Sequence, residues 1–265
     1  MPDLNYTSET ITEIIEWVPG KLFSFATTRP AEFQFTAGQF ARLGLPDQPG
    51  DNAQPGIWRA YSMVTAPHQP DLAFYSIVVP NGEFTTRLAR LSVGDTIYLD
   101  KTAFGFLTLE RFEAGGDLWL LATGTGLSAY LSLLQDPHTW QRHERIILVH
   151  GVRQAEELAY REQLTAWAAH GHPDADRTKP RAGLTYLPIA TRETLPGKPQ
   201  ARLTTLIEDG RLEQLAGRPL NPAHAKVMLC GNPDMIKDSR KLLTDRGFAV
   251  GRRGIPGTMA VENYW

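Results

Sequence analysis

Among 265 residues there is one cysteine, Cys230. A single thiol forms no disulfide framework, no cysteine-based zinc site and no chain-held iron–sulfur cluster. Long apolar runs are missing too. The stretches at 118–122 and 146–149 fall far below the roughly 20 residues that cross a bilayer, so no membrane partner is expected. The start, from Met1 to Tyr6, lacks the basic-then-apolar layout of a secretory leader, which makes the cytoplasm the expected location. Nor does one charge dominate: 27 Lys and Arg stand against 29 Asp and Glu, a net charge of −2 that argues against nucleic-acid binding. With 42% hydrophobic and 21% charged residues, the composition excludes a disordered chain or a coiled coil.

The length suits two domains, each large enough to bury a core. Charge and periodicity change together along the chain. Residues 1–110 carry 7 basic and 12 acidic residues, and residues 111–265 carry 20 and 17. In the first part, short apolar runs at 22–27, 40–45, 59–64, 72–79, 96–99 and 106–109 are fenced by Gly, Pro, Asp or Asn. This spacing suits an antiparallel β-barrel or sandwich, with one short helix at 85–91. After Gly115-Gly116, strand-like runs at 118–122, 146–150, 184–190, 227–229 and 259–264 alternate with helical patterns at 127–134, 155–169, 203–208 and 234–246. Such alternation implies βαβ units around a parallel sheet. The expected division is therefore an antiparallel β domain at 1–114, a β-barrel or a sandwich, and an α/β domain at 115–265.

Two local patterns point to chemistry. Thr123-Gly124-Thr125-Gly126-Leu127-Ser128-Ala129 follows an apolar strand and opens a helix, and it fits G-x-G-x-x-A. There the glycines let backbone N–H groups approach a pyrophosphate at a helix N-terminus. A glycine turn between strand and helix is equally a structural device, and these residues alone leave both readings open. The next strand runs into Arg153, where an NAD-binding unit usually carries Asp or Glu for the ribose 2′-hydroxyl. An arginine there suits a 2′-phosphate. Arg192 is expected to end the third strand and Arg202 to open the following helix, so three arginines gather at the sheet edge where ligands bind. The second pattern is Arg59-Ala60-Tyr61-Ser62 on a barrel strand. Strand alternation puts Arg59 and Tyr61 on one face and Ala60 and Ser62 on the other. It reads either as a clamp, a stacking ring and a hydroxyl for a cofactor, or as an exposed strand with a tyrosine packed on its rim.

These patterns stand in an order with Pro80-Asn81-Gly82-Glu83-Phe84-Thr85-Thr86, Cys230-Gly231-Asn232-Pro233 and the terminal Val261-Glu262-Asn263-Tyr264-Trp265. Over nearly the whole chain the series resembles the ferredoxin–NADP reductases, and the C-terminus resembles their short bacterial kind. The resemblance implies an FAD-binding barrel and an NADP(H)-binding α/β domain, with the nicotinamide meeting the flavin between them. It places Arg59, with Ala60, on the FAD pyrophosphate, Tyr61 against the isoalloxazine and Ser62 near flavin N5. Tyr75 is implied as a flavin contact. Glu83, Phe84 and Thr85 open a helix whose backbone N–H groups would meet phosphate, and Thr125 would lie at the junction of both nucleotides. Arg153, Thr191, Arg192 and Arg202 fall at the positions for the 2′-phosphate and adenosine.

Of the remaining positions, the resemblance implies a reacting centre of Ser62, Cys230, Glu262 and Tyr264, with Trp265 reaching the FAD adenine. Cys230 is implied near the nicotinamide and not as a nucleophile, and Glu262 as a positioning acid. Tyr264 would cover the flavin face that nicotinamide must occupy. The partner implied is an acidic ferredoxin or flavodoxin, docking on basic residues for which Arg90, Lys101, Arg252 and Arg253 are candidates, and a monomer is expected. Two rival readings keep the same module: a reductase component feeding an oxygenase, and an FAD subunit that carries electrons or senses without nicotinamide binding. The intact glycine turn and the three arginines argue against the second.

Overall fold

The computed structural model describes residues 4–46, 54–172, 182–252 and 254–263. Arg253, Tyr264 and Trp265 lie outside the described residues. The first part of the chain forms β1 (Tyr6–Val18), β2 (Leu22–Thr27), β3 (Phe40–Pro46), β4 (Pro55–Ser62), β5 (Leu72–Ile77) and β6 (Thr96–Asp100). They make one antiparallel sheet in the order β4-β3-β6-β1-β2-β5. The edge strands meet again just past the end of β4. Met63 bridges Phe74, and the Val64 N–H donates to the Ala73 carbonyl at 2.7 Å. The sheet thus curls back on itself around Ile11, Phe25, Leu43, Met63 and Phe74, all at most 2% exposed. Helix α1 (Glu83–Leu88) plugs this core with Phe84 and Leu88. Each such side chain contributes roughly 1.5–3 kcal/mol when fully buried.

The long strand β1 has no counterpart among the runs expected from the sequence. Glu9, Glu13 and Glu16 break its apolar alternation: Glu13 and Glu16 face solvent, and the buried Glu9 carboxylate accepts from the Thr28 hydroxyl at 2.5 Å. Pairing carries it instead. Residues 6–10 lie on β6 and residues 11–18 on β2. The strand expected at 106–109 is absent. Leu107 and Leu109 are buried between the two sheets, Leu109–Arg111 makes a 3₁₀ turn, and Phe106 lies 71% exposed beneath the Arg111 guanidinium. The segment is apolar because it fills a gap, not because it joins a ladder.

The second part holds β7 (Asp117–Thr123), β8 (Arg145–Val152), β9 (Gly183–Ala190), β10 (Ala225–Cys230) and β11 (Met259–Glu262), all parallel, in the order β11-β10-β7-β8-β9. Around it lie α2 (Leu127–Gln135), α3 (Pro137–Arg142), α4 (Arg161–His170), α5 (Leu203–Glu208), α6 (Arg211–Ala216) and α7 (Pro233–Asp245). Central β7 reads as an unbroken apolar run because both faces are covered. Leu118 and Leu120 enter one core and Trp119 and Leu121 the other. The single helix expected at 155–169 is broken. A 3₁₀ turn at Ala155–Glu157 is followed by Tyr160 in left-handed backbone (φ 59°), and α4 starts only afterwards. Chain direction across the sheet reverses between β7 and β10, which creates a crevice at their C-terminal ends.

The two sheets are not separated by solvent. Val18, Leu22 and Tyr75 of the first share one core with Leu118, Leu120 and Tyr130 of the second. Among the described residues no helix is long and apolar enough to cross a membrane.

Candidate active site

The crevice at the end of β7 is built by close backbone approach. After Thr123 the chain turns through Gly124 (φ 55°) and a 3₁₀ turn into α2, with Gly126 packed on the end of β10. A Cβ on Gly126 would stand 2.5 Å from the Cys230 carbonyl oxygen. Gly231 (φ 131°) meets the same turn, and its Cβ would lie 2.5 Å from the Thr123 carbonyl oxygen. The Asn232 N–H donates to Thr123 Oγ1 at 2.9 Å, while the Asn232 side chain caps α7 by accepting from the Asp234 and Met235 N–H groups. Gly231→Ala is therefore expected to lower stability by about 1–3 kcal/mol in urea unfolding, because backbone must shift at both strand ends. An unchanged midpoint would mean that the turn yields freely.

From this turn a cleft of about 690 Å³ runs along the C-terminal edge of the parallel sheet. Its lining includes Thr123, Gly124 and Thr125, then Arg153, Thr191, Arg192 and Arg202, with Val78–Pro80 and Tyr75 on the side of the first sheet. The strand ladder continues past the ends of β8 and β9. Thr191 N–H donates to the Val152 carbonyl at 3.0 Å and Arg192 N–H to the Arg153 carbonyl at 2.9 Å. This holds Arg153 and Arg192 on neighbouring backbone segments. Strand β9 stops at Ala190, so Arg192 lies two residues beyond the strand it was expected to end. Arg202 is the N-cap residue of α5. Arg192 and Arg202 also line a second, adjoining pocket with Gln200, Thr205 and Arg211. Arg211 had no sequence signal, since only the packing of α6 beside α5 brings it there.

On the first sheet, cross-strand neighbours define faces. Arg59 and Tyr61 stand opposite Leu43 and Ala41, and Ala60 and Ser62 opposite Arg42 and Phe40, which matches the expected alternation. Tyr61 packs on Phe25, Phe74 and Phe84 and hydrogen-bonds Ser76 Oγ at 3.1 Å. Burial pushes its phenol up to about 12, so it stays neutral. Arg59 is exposed, its guanidinium donating to the Trp58 carbonyl at 2.7 Å. Helix α1 packs against β4 and begins at Gly82 with no side-chain cap, which leaves first-turn N–H groups available to an acceptor. Phe84 fills the core, and Glu83 pairs with Arg87 at 2.7 Å. Thr85 Oγ1 accepts from the Val79 N–H at 3.0 Å.

Ser62, Glu262 and Cys230 are connected through a series of neighbours from separate elements. Ser62 faces Phe40 across the ladder, and Phe40 lies against Gly105. A Cβ on Gly105 would come within 2.6 Å of Glu262 Oε1. Glu262 in turn is the register partner of Cys230, and both are buried, at 9% and 0% exposure. Tyr75 lines the cleft wall with its ring edge-on to Tyr160 at 5.7 Å, and its hydroxyl is buried with no hydrogen-bond partner. Two groups beneath the cleft had no sequence signal. His150 Nε2 meets the Gly124 carbonyl at 3.2 Å, and burial pushes its pKa down to about 4. Glu157 feels burial in the opposite direction. Hydrogen bonds from Lys21 and from the Arg153 and Gln154 N–H groups outweigh it and hold the carboxyl below its usual value.

The oxidoreductase NAD-binding domain family matches residues 120–241. A ferredoxin–NADP reductase A from Sorangium cellulosum is 42% identical over 97% of this chain and 89% of its own. A flavodoxin/ferredoxin–NADP reductase from Escherichia coli is 36% identical over 98% of this chain and 99% of its own. The chain belongs to the ferredoxin–NADP reductase family. A crystal structure of a ferredoxin–NADP+ reductase from Neisseria gonorrhoeae, with bound FAD and NADP, superposes with a TM-score of 0.88 at 36% identity, covering 99% of this chain and 100% of that one. The two-sheet architecture is thus that of the reductase family.

Proposed function

We propose that this chain is an FAD-dependent oxidoreductase that exchanges hydride with NADP(H) and single electrons with a ferredoxin or flavodoxin. The observation that carries the reading is the cleft itself. It starts at three arginine-bearing segments, passes a glycine turn and ends at Tyr75 on the first sheet. That path suits a phosphorylated dinucleotide whose nicotinamide end points toward the junction of the two sheets. We divide the chain there, with an FAD domain at 1–114 and an NADP domain at 115–265. Gly115 and Gly116, both at positive φ, form the link immediately before β7.

The residues of the first sheet fit FAD. An exposed arginine on β4 beside an uncapped helix start suits a pyrophosphate, and the unpartnered Tyr75 hydroxyl is a buried polar atom awaiting a neighbour. In this reading Arg59 and the N–H groups at Glu83, Phe84 and Thr85 hold the phosphates, with the Ala60 backbone beside them. Tyr61 and Tyr75 flank the ring system. When bound, FAD supplies the coupling between two-electron and one-electron chemistry. The protein orients the reactants and excludes water. Thr125 stands between the two nucleotides. Ser62 hydrogen-bonds at the reacting edge, Cys230 shapes the nicotinamide pocket, and Glu262 orients the groups around it. Arg153, Thr191, Arg192 and Arg202 bind the adenosine 2′-phosphate end. A cytoplasmic monomer completes the reading.

Anaerobic titration of the FAD-loaded protein tests it. NADPH is expected to bleach the flavin absorbance at lower concentration than NADH, and added flavodoxin or ferredoxin to restore it. Failure of NADPH to bleach would overturn the reading. Exposed Arg90, Lys101 and Arg252 suit an acidic carrier, so carrier reduction is expected to slow as ionic strength rises. A flat salt dependence would remove the electrostatic docking.

A further inference from the structure

Glu157 uses its two carboxylate oxygens for two different structures. Oε2 accepts the Arg153 N–H at 2.8 Å and the Gln154 N–H at 3.3 Å. Oε1 accepts from Lys21 Nζ at 2.5 Å, across 136 positions of sequence. Lys21 belongs to the turn between β1 and β2, and its carbonyl accepts the Val78 N–H at 2.8 Å. Val78 and Arg153 both line the cleft. One carboxylate therefore connects the backbone of both walls through a short path: Arg153, Glu157, Lys21, Val78. Charge-assisted bonds of this kind are roughly twice as strong as neutral ones, and Glu157 is largely buried, at 11% side-chain exposure.

A second connection runs parallel to the first. Tyr160 is held at φ 59°, a backbone conformation that costs a non-glycine residue free energy and persists only where surrounding contacts enforce it. Its hydroxyl bonds Ser24 Oγ at 2.6 Å, and its ring lies 4.7 Å from that of Trp17. Ser24 and Trp17 belong to the same β1–β2 pair that carries Lys21. The segment bearing Arg153 is thus anchored to the first sheet at both Glu157 and Tyr160.

We propose that Glu157 is a positioning residue for nucleotide recognition: through Lys21 it sets the spacing of the two cleft walls and holds the Arg153 backbone so that the arginine meets the adenosine 2′-phosphate. The proposal rests on the NADP reading of the cleft. The Arg153 carbonyl also receives the Arg192 N–H, so displacement of this segment reaches a second arginine. Glu157→Gln keeps an acceptor for the N–H groups and removes the charge that Lys21 needs. Lys21→Met cuts the same connection from the other end without touching the Arg153 segment.

Calorimetric binding of adenosine 2′,5′-bisphosphate and of 5′-AMP to the FAD-loaded protein tests this. Each variant is expected to weaken the bisphosphate about tenfold and 5′-AMP less than about twofold, and the double variant no more than either single one. The KM for NADPH should rise with kcat nearly unchanged. Wild-type affinity in Lys21→Met and Glu157→Gln, equal weakening of both ligands, or additive losses would overturn the proposal. If instead the wild-type protein does not prefer the bisphosphate over 5′-AMP, the NADP reading itself fails.

Discussion

Replacing Arg192 and Arg202 together with alanine is expected to lower kcat/KM for NADPH by two to four orders of magnitude and to leave NADH nearly untouched. Each charge-assisted contact to a phosphate is worth about 1.5–3 kcal/mol, or roughly 10- to 150-fold. Both residues line the cleft and the adjoining pocket at its end. Their removal takes away charges that only the 2′-phosphate requires, since NADH carries a free hydroxyl there. Steady-state kinetics with both nucleotides reads the effect directly. An unchanged NADPH/NADH ratio would show that these arginines are solvated surface charges and would move the assignment elsewhere along the edge.

A second large effect is expected in acid, and it originates in two buried histidines, one beneath the cleft and one at the opposite edge of the parallel sheet. His150 and His143 are buried, at 0% and 5% exposure, and burial pushes each pKa from 6.5 down to about 4, against the opposing backbone hydrogen bonds at Gly124 and Gly115. One ring nitrogen of each is buried without a partner. Both rings are therefore neutral in the folded protein at pH 6. The unfolded chain begins to take up protons near pH 6.5, whereas the folded protein refuses them until about pH 4. Stability must fall as pH drops through that window and level off below it. The gap is worth roughly 3 kcal/mol per histidine. Urea unfolding between pH 7 and 4 should show this slope, and His150→Gln should remove about half of it. A variant with the wild-type slope would place the acid sensitivity elsewhere. Glu157 acts in a separate window, because its lowered pKa contributes stability that is lost only as pH falls below about the ordinary carboxylate value of 4.5.

Much of the architecture was legible before any coordinates. The run at 22–27 coincides with β2, the helical pattern at 203–208 with α5, and the alternation after Gly116 with a parallel sheet. These elements obey local rules: buried β7 is apolar from Leu118 to Ala122, and α1, α2 and α7 start after Gly or Asn. Failures occurred where pairing or packing overrode pattern. Glutamate-rich β1 is a strand because β2 and β6 flank it, and the leucines at 107 and 109 fill the gap between sheets.

The candidate site divides along the same line. Motifs that act through their own backbone, such as the glycine turn at Gly124–Gly126 or the strand Arg59-Ala60-Tyr61-Ser62, carry their geometry in short spacings and are visible in one dimension. Even the single cysteine was informative there, since it assigns any iron–sulfur centre in the electron path to another chain. Tertiary structure alone decided which distant groups support those motifs. Lys21 reaches Glu157, His150 sits under Gly124, and Glu262 lies against Gly105 because sheet order and the packing of two domains bring them together. No local propensity encodes a contact across more than a hundred residues. Its free energy exists only once both sheets have formed and water has left the space between them.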